Sequence, residues 1–108
     1  MKLSEKVYNL CRQIPKGRVS SYKAIAEKLN TKAYRAIGRA LRNNPFSPVV
    51  PCHRVVSSSG LIGGFKGKTS GKEIKEKIKL LERENIKIKN NKIINFEKIL
   101  YKFQDIKS

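Results

Sequence analysis

The chain is poor in acids, in histidine and in long apolar runs. Its 108 residues carry 8 Asp and Glu against 25 Lys and Arg, with one histidine and two cysteines. No apolar stretch approaches the roughly 20 residues that cross a bilayer, so no membrane partner is expected. Glu5, Asn9 and Arg12 interrupt the N-terminal apolar residues, which excludes a signal-peptide pattern there. Cys11 and Cys52 lie far apart, which predicts reduced thiols rather than a disulfide scaffold. Two cysteines and one histidine also fall short of the four protein ligands of a structural zinc site. Neither a metal nor a cofactor is therefore expected.

What is abundant is positive charge. The formal net charge is +17. Such a chain binds polyanions by releasing their counterions, and nucleic acid is favoured over a generic lysine-rich surface. The hydrophobic content of 39% is enough for one modest core, and a single domain over 1–108 is expected.

The first half has the pattern of a helix-turn-helix. Val7, Leu10, Cys11 and Ile14 recur at helical spacing over 4–13, with Ser4 as N-cap, so Cys11 is expected in the core. Pro15 to Arg18 is a turn. Ser20 or Ser21 caps a second helix that turns Ile25, Ala26 and Leu29 inward. A third helix over 33–43 puts Ala33, Ile37 and Leu41 on one face and Arg35, Arg39 and Arg42 on the opposite one, flanked by Ala36, Gly38 and Ala40. Small flanks beside an arginine stripe let a helix lie close to a DNA groove. Asn44-Pro45 then ends the helix. Ser70 to Glu73 reads as a capping box for a helix over 71–85 with Ile74, Ile78 and Leu81 inward. Residues 86–94 predict a short hairpin turning at Asn90-Asn91. Asn95 is expected to cap a last helix carrying Phe96, Ile99, Leu100 and Phe103.

The single histidine sits in Pro51-Cys52-His53-Arg54-Val55, between two pairs of valines. Burying Cys-His-Arg without partners is costly, so the stretch is a reactive centre or a structural knot. A free thiol is mostly protonated at neutral pH, and a neighbouring His that accepts its proton would activate it. Adjacent side chains rarely bond directly, so a bridging water is the expected route. An acid bordering the buried face of the following helix, Glu84, could orient the imidazole.

These residues carry a resemblance. Val19-Ser20-Ser21-Tyr22, Arg35-Ala36-Ile37-Gly38, Asn44-Pro45, Pro51 to Val56 and Ser58-Ser59-Gly60 occur in the order and spacing of the O6-alkylguanine-DNA alkyltransferases. The resemblance covers about residues 4–86. It implies a mostly α, winged-helix-like helix-turn-helix domain with a small β element near the C-terminus, lacking the N-terminal domain that many relatives carry. It implies single-turnover transfer of an alkyl group from O6-alkylguanine in duplex DNA to Cys52, by a monomer in the cytoplasm or, in a eukaryote, the nucleus. Catalysis would fall to Cys52, His53, Glu84 and Tyr22. DNA would be bound in the minor groove through Ser21, Arg35, Ala36, Gly38, Arg39 and Arg42, with Arg35 filling the gap left by a flipped base. Val55, Phe65, Lys66 and Asn44 would form the guanine pocket, Lys66 through its backbone N–H and Val55 through its carbonyl. Two other readings remain at this point: a non-catalytic lesion binder, and a basic nucleic-acid-binding module whose Cys-His pair is structural.

Overall fold

Helical periodicity and short polar breaks divide the first half into three helices. The structure, a computed structural model, describes residues 1–103. Helix α1 spans Leu3–Gln13. Val7, Leu10 and Cys11 are buried on its inner face, and Ile14 is buried just beyond it. Lys2, not Ser4, occupies the N-cap position, and no side chain caps this end. Helix α2 (Tyr22–Lys28) starts where Ser21 Oγ accepts the Ala24 N–H, which satisfies one of the helix's first unpaired donors. Helix α3 (Tyr34–Arg42) follows a short turn and buries Ile37, Ala40 and Leu41. Ala33 lies outside the helix and is exposed, so Ala40 replaces it on the buried face. Arg35, Arg39 and Arg42 face solvent. Helices α1 and α3 pack together with α2 against α3, which makes the helix-turn-helix.

Two very short strands set the geometry of the centre. β1 (Ser20–Ser21) pairs in parallel with β2 (Val55–Val56), Ser20 opposite Val55 and Ser21 opposite Val56. The residue after β1 is Tyr22, and a 3-10 turn over Cys52–Arg54 immediately precedes β2. The ladder therefore brings Tyr22 and Cys52 together from distant parts of the chain. The C-terminal segment reinforces it. Val19 N–H donates to Ile99 O, Tyr101 N–H to Val19 O, and Ser20 Oγ to Tyr101 O.

Helix α4 spans Lys72–Arg83. Its N-cap position holds Gly71 at φ 87° with no side-chain cap. The expected capping box does not form, because the chain enters the helix through a left-handed backbone that glycine adopts without strain. Ile74 and Leu81 are buried, with Ile78 and Leu80 half-buried beside them. β3 (Ile88–Lys89) and β4 (Lys92–Ile93) form the expected hairpin, with Asn90 and Asn91 both at positive φ, as the hairpin turn requires. The last helix, α5, covers only Phe96–Ile99. Asn95 precedes it in a left-handed conformation without capping it, and Leu100 and Phe103 lie beyond it. The fold is mostly helical with the expected small β element near the C-terminus, and the β1–β2 pair is an addition that the sequence pattern does not indicate. Among the described residues no helix is long and apolar enough to cross a membrane.

Candidate active site

The 3-10 turn places Cys52 and His53 inside the molecule, 6% and 2% exposed. Such burial demands partners for the imidazole. His53 Nε2 lies 2.9 Å from Glu84 Oε2, and Glu84 sits at the end of α4 as its C-cap residue. Arg54 then grips the same carboxylate with two bonds, Nε to Oε1 and a terminal nitrogen to Oε2, each 2.8 Å. Its other terminal nitrogen donates to Ile14 O at the end of α1. The planar guanidinium matches a carboxylate in this two-bond arrangement.

Burial pushes the Glu84 carboxyl up, but bonding and charge from Arg54 and His53 outweigh it and hold the group below its ordinary range. Glu84 is thus an anion at neutral pH, and an anion beside Nε2 accepts a hydrogen bond from an N–H there. That selects the tautomer with hydrogen on Nε2 and a lone pair on Nδ1. Among the described residues, Nδ1 has no hydrogen-bond partner. Burial also pushes His53 down, with Glu84 opposing in part, so the imidazole is neutral and able to accept a proton.

Two other titratable groups lie nearby. Tyr22 is pushed up by burial and then by the thiols of Cys52 and Cys11, so it remains a phenol, a donor. Cys11 is fully buried in the core, and burial pushes its thiol up to about 12, which makes it inert. Cys52 Sγ lies 4.0 Å from Ser47 Oγ.

Cys52 and Tyr22 open onto a cavity of about 410 Å³. Arg35, Gly38, Arg39 and Arg42 of α3 line one side of it, and Phe65, Lys66 and neighbouring loop residues line the other. The loop closes on itself where Phe65 and Lys68 exchange two backbone bonds of 2.9 Å. Lys66 and Gly67 occupy the tip at positive φ. A Cβ on Gly67 would come within 2.7 Å of Arg42 Cδ. Glycine at this positive φ lets the loop tip and the Arg42 side chain of α3 approach closely. Lys66 Nζ pairs with Glu76 of α4 at 3.1 Å.

Of the residues singled out from sequence, Cys52, Tyr22, Arg35, Gly38, Arg39, Arg42, Phe65 and Lys66 line this cavity. His53 and Glu84 stand behind it. Val55 belongs to the strand that follows the 3-10 turn. Ala36 is half-buried on α3, and Ser21 serves as the α2 cap. Asn44 bridges the loop between α3 and the 3-10 turn, donating to Val50 O at 2.8 Å and accepting from Phe46 N–H at 2.9 Å.

Sequence reasoning missed two residues. Arg54 was quoted within the motif but given no role, although it orders Glu84. Lys77 was not singled out at all. It is completely buried, and its ammonium donates to three backbone carbonyls. A signal was present, since Lys77 lies three residues after Ile74 and four before Leu81, within the apolar stripe of α4. Among the described residues, no group of three or more His, Cys, Asp or Glu could hold a metal ion.

Glu84 and His53 agree in the sign of their pH effect. Glu84 has a lowered folded pKa, so its stabilisation is present above the unfolded value and is lost as pH falls through the folded one. His53 is harder to protonate when folded, so the unfolded chain takes up more protons below about pH 6.5. Urea midpoints are therefore expected to fall steadily from about pH 7 to about pH 4. A midpoint that rises on acidification would contradict this arrangement.

Residues 2–86 match the family model described as 6-O-methylguanine DNA methyltransferase, DNA binding domain. The chain is 43% identical over 91 residues to a methylated-DNA–protein-cysteine methyltransferase of Candida glabrata, covering 83% of this chain and 42% of that protein. It spans about half the length of the curated relatives that it matches. Among solved structures, Mycobacterium tuberculosis OGT in complex with DNA is 36% identical with a TM-score of 0.67, covering 78% of this chain and 50% of that one. Schizosaccharomyces pombe Atl1, in complex with damaged DNA containing O6-carboxymethylguanine, is 26% identical with a TM-score of 0.79, covering 94% and 99%.

Proposed function

The chain belongs to the 6-O-methylguanine DNA methyltransferase family through its DNA-binding domain, and on that premise we propose that it repairs alkylated DNA by moving the alkyl group from O6-alkylguanine to its own Cys52. The observation that carries this reading is buried Cys52 at a cationic cavity, backed by buried His53 and by the half-buried pair Glu84 and Arg54 that holds it. A structural Cys-His pair needs neither an oriented imidazole nor an opening onto a cavity.

Alpha helix α3 would enter the minor groove with Ala36 and Gly38 allowing close approach, while Arg35 fills the space vacated by the extruded guanine. Ser21, Arg39 and Arg42 would hold the backbone, and Asn44 would order the loop that leads to Cys52. His53 Nδ1, through a bridging water, takes the thiol proton. The Cys52 thiolate attacks the alkyl carbon, the S–C bond forms, and the C–O6 bond breaks with its electron pair passing to the guanine. Tyr22 donates a hydrogen bond to the purine, and the Lys66 N–H stabilises charge developing at O6. Val55 O accepts from the exocyclic amine, with Phe65 at the pocket wall. The guanine anion so formed takes up one proton at N1 from water, which restores guanine, and the base returns to the stack. The thioether is stable, so each molecule acts once and needs no cofactor.

A second reading draws on the match to Atl1 along nearly its whole length: recognition of the lesion without transfer. The presence of Cys52 beside an oriented base weighs against it. The two separate when the protein is mixed with duplex containing O6-methylguanine and the DNA is digested to nucleosides. Transfer consumes O6-methylguanine, produces guanine and stops at one lesion per protein. A lesion that survives intact while bound would support recognition alone.

A further inference from the structure

Lysine is almost never fully buried unless its charge is satisfied, and Lys77 is fully buried in the middle of α4. Its Nζ donates to Val55 O at 2.9 Å, to Ile62 O, and to Gly64 O at 3.0 Å. An ammonium has three hydrogens and no acceptor, so all three are spent on these carbonyls. The carbonyls come from two places that the site needs to keep in register. Val55 follows the 3-10 turn that holds Cys52 and His53, and Ile62 and Gly64 belong to the loop that walls the cavity.

We propose that Lys77 is a positioning residue for alkyl transfer: its ammonium ties the pocket loop to the strand beside Cys52 and holds positive charge toward the thiolate. The inference rests on the transfer reading. Cys52 and His53 are the titratable groups that face Lys77 from the 3-10 turn, while β2 and the loop present it with carbonyls. Burial pushes the ammonium down to about 7, with Cys52 opposing. On losing its proton the side chain keeps two hydrogens for three carbonyls, and its charge disappears. The reaction then loses pocket order and thiolate stabilisation together.

The test is the single-turnover transfer rate, with protein saturating over methylated duplex, followed from about pH 6 to about pH 9.5. The wild-type rate is expected to fall by about tenfold on the alkaline side of this range. Lys77→Arg, whose charge does not titrate, is expected to move that fall to higher pH. Lys77→Met is expected to lose more than about tenfold throughout and to show no alkaline fall. A wild-type rate that reaches a plateau and stays there would overturn the inference, as would Lys77→Met following the wild-type profile. The wild-type profile decides alone if Lys77→Met does not fold. Absence of transfer at every pH would overturn the transfer reading and this inference with it, whereas transfer with no alkaline fall overturns only the role of Lys77.

Discussion

Glu84→Gln slows alkyl transfer by roughly 100- to 10,000-fold, the range over which a positioned base acts. The carboxylate accepts a hydrogen bond from the Nε2–H of His53 and so leaves Nδ1 as the basic nitrogen. An amide carries donors as well as an acceptor and can turn its NH2 toward the ring. The imidazole then places its hydrogen on Nδ1, where no lone pair remains to take the thiol proton. The neutral amide also ceases to stabilise the imidazolium that forms. Arg35, Arg39 and Arg42 stand on a different element, so affinity for undamaged duplex is expected to remain within about threefold, well under the 1.4 kcal/mol of a tenfold change. Rapid-quench single turnover beside equilibrium DNA binding separates the two effects. A Glu84→Gln protein that transfers at the wild-type rate would show that His53 does not work through Glu84.

Arg54→Met is expected to destabilise the fold by about 1 to 3 kcal/mol, the cost of leaving a half-buried acceptor without its charge-assisted donors. Glu84 loses both charge-assisted bonds and Ile14 O loses its donor. The remaining carboxylate is 11% exposed and, among the described residues, keeps His53 as its side-chain partner. Urea unfolding measures the loss as a lower midpoint with an unchanged slope. The double variant Arg54→Met/Glu84→Gln should recover part of it, because no unpaired charge is then left buried. A midpoint within about 0.5 kcal/mol of wild type, the size of an ordinary surface change, would mean that the pair contributes little.

Regular helices were legible in the sequence because their apolar spacing is redundant. Val7, Leu10, Cys11 and Ile14 mark one buried face, and Ile37 with Leu41 marks another. Helix ends were less legible. Ser70 and Glu73 have the composition of a capping box, yet Gly71 takes the cap position at a φ that composition does not reveal. The parallel pairing of Ser20–Ser21 with Val55–Val56 left no local trace, since two-residue strands have no periodicity and their partners are far apart in sequence. Cys52 and His53 stood out by scarcity. Arg54 and Lys77 did not, because this chain is rich in both residue types and only three-dimensional partners distinguish a buried cation from a solvated one. The bonds of the C-terminal segment to Val19 and Ser20, just before Tyr22 in the chain, left no local trace either.

The most direct measurement is the mass of the protein before and after incubation with duplex DNA carrying O6-methylguanine, followed by peptide mapping. Alkyl transfer predicts the gain of one methyl group on the peptide containing Cys52, none on the peptide containing Cys11, and no change with undamaged duplex. An unchanged mass, with the lesion duplex bound more tightly than its undamaged counterpart, would contradict transfer and leave a protein that recognises the lesion without removing it.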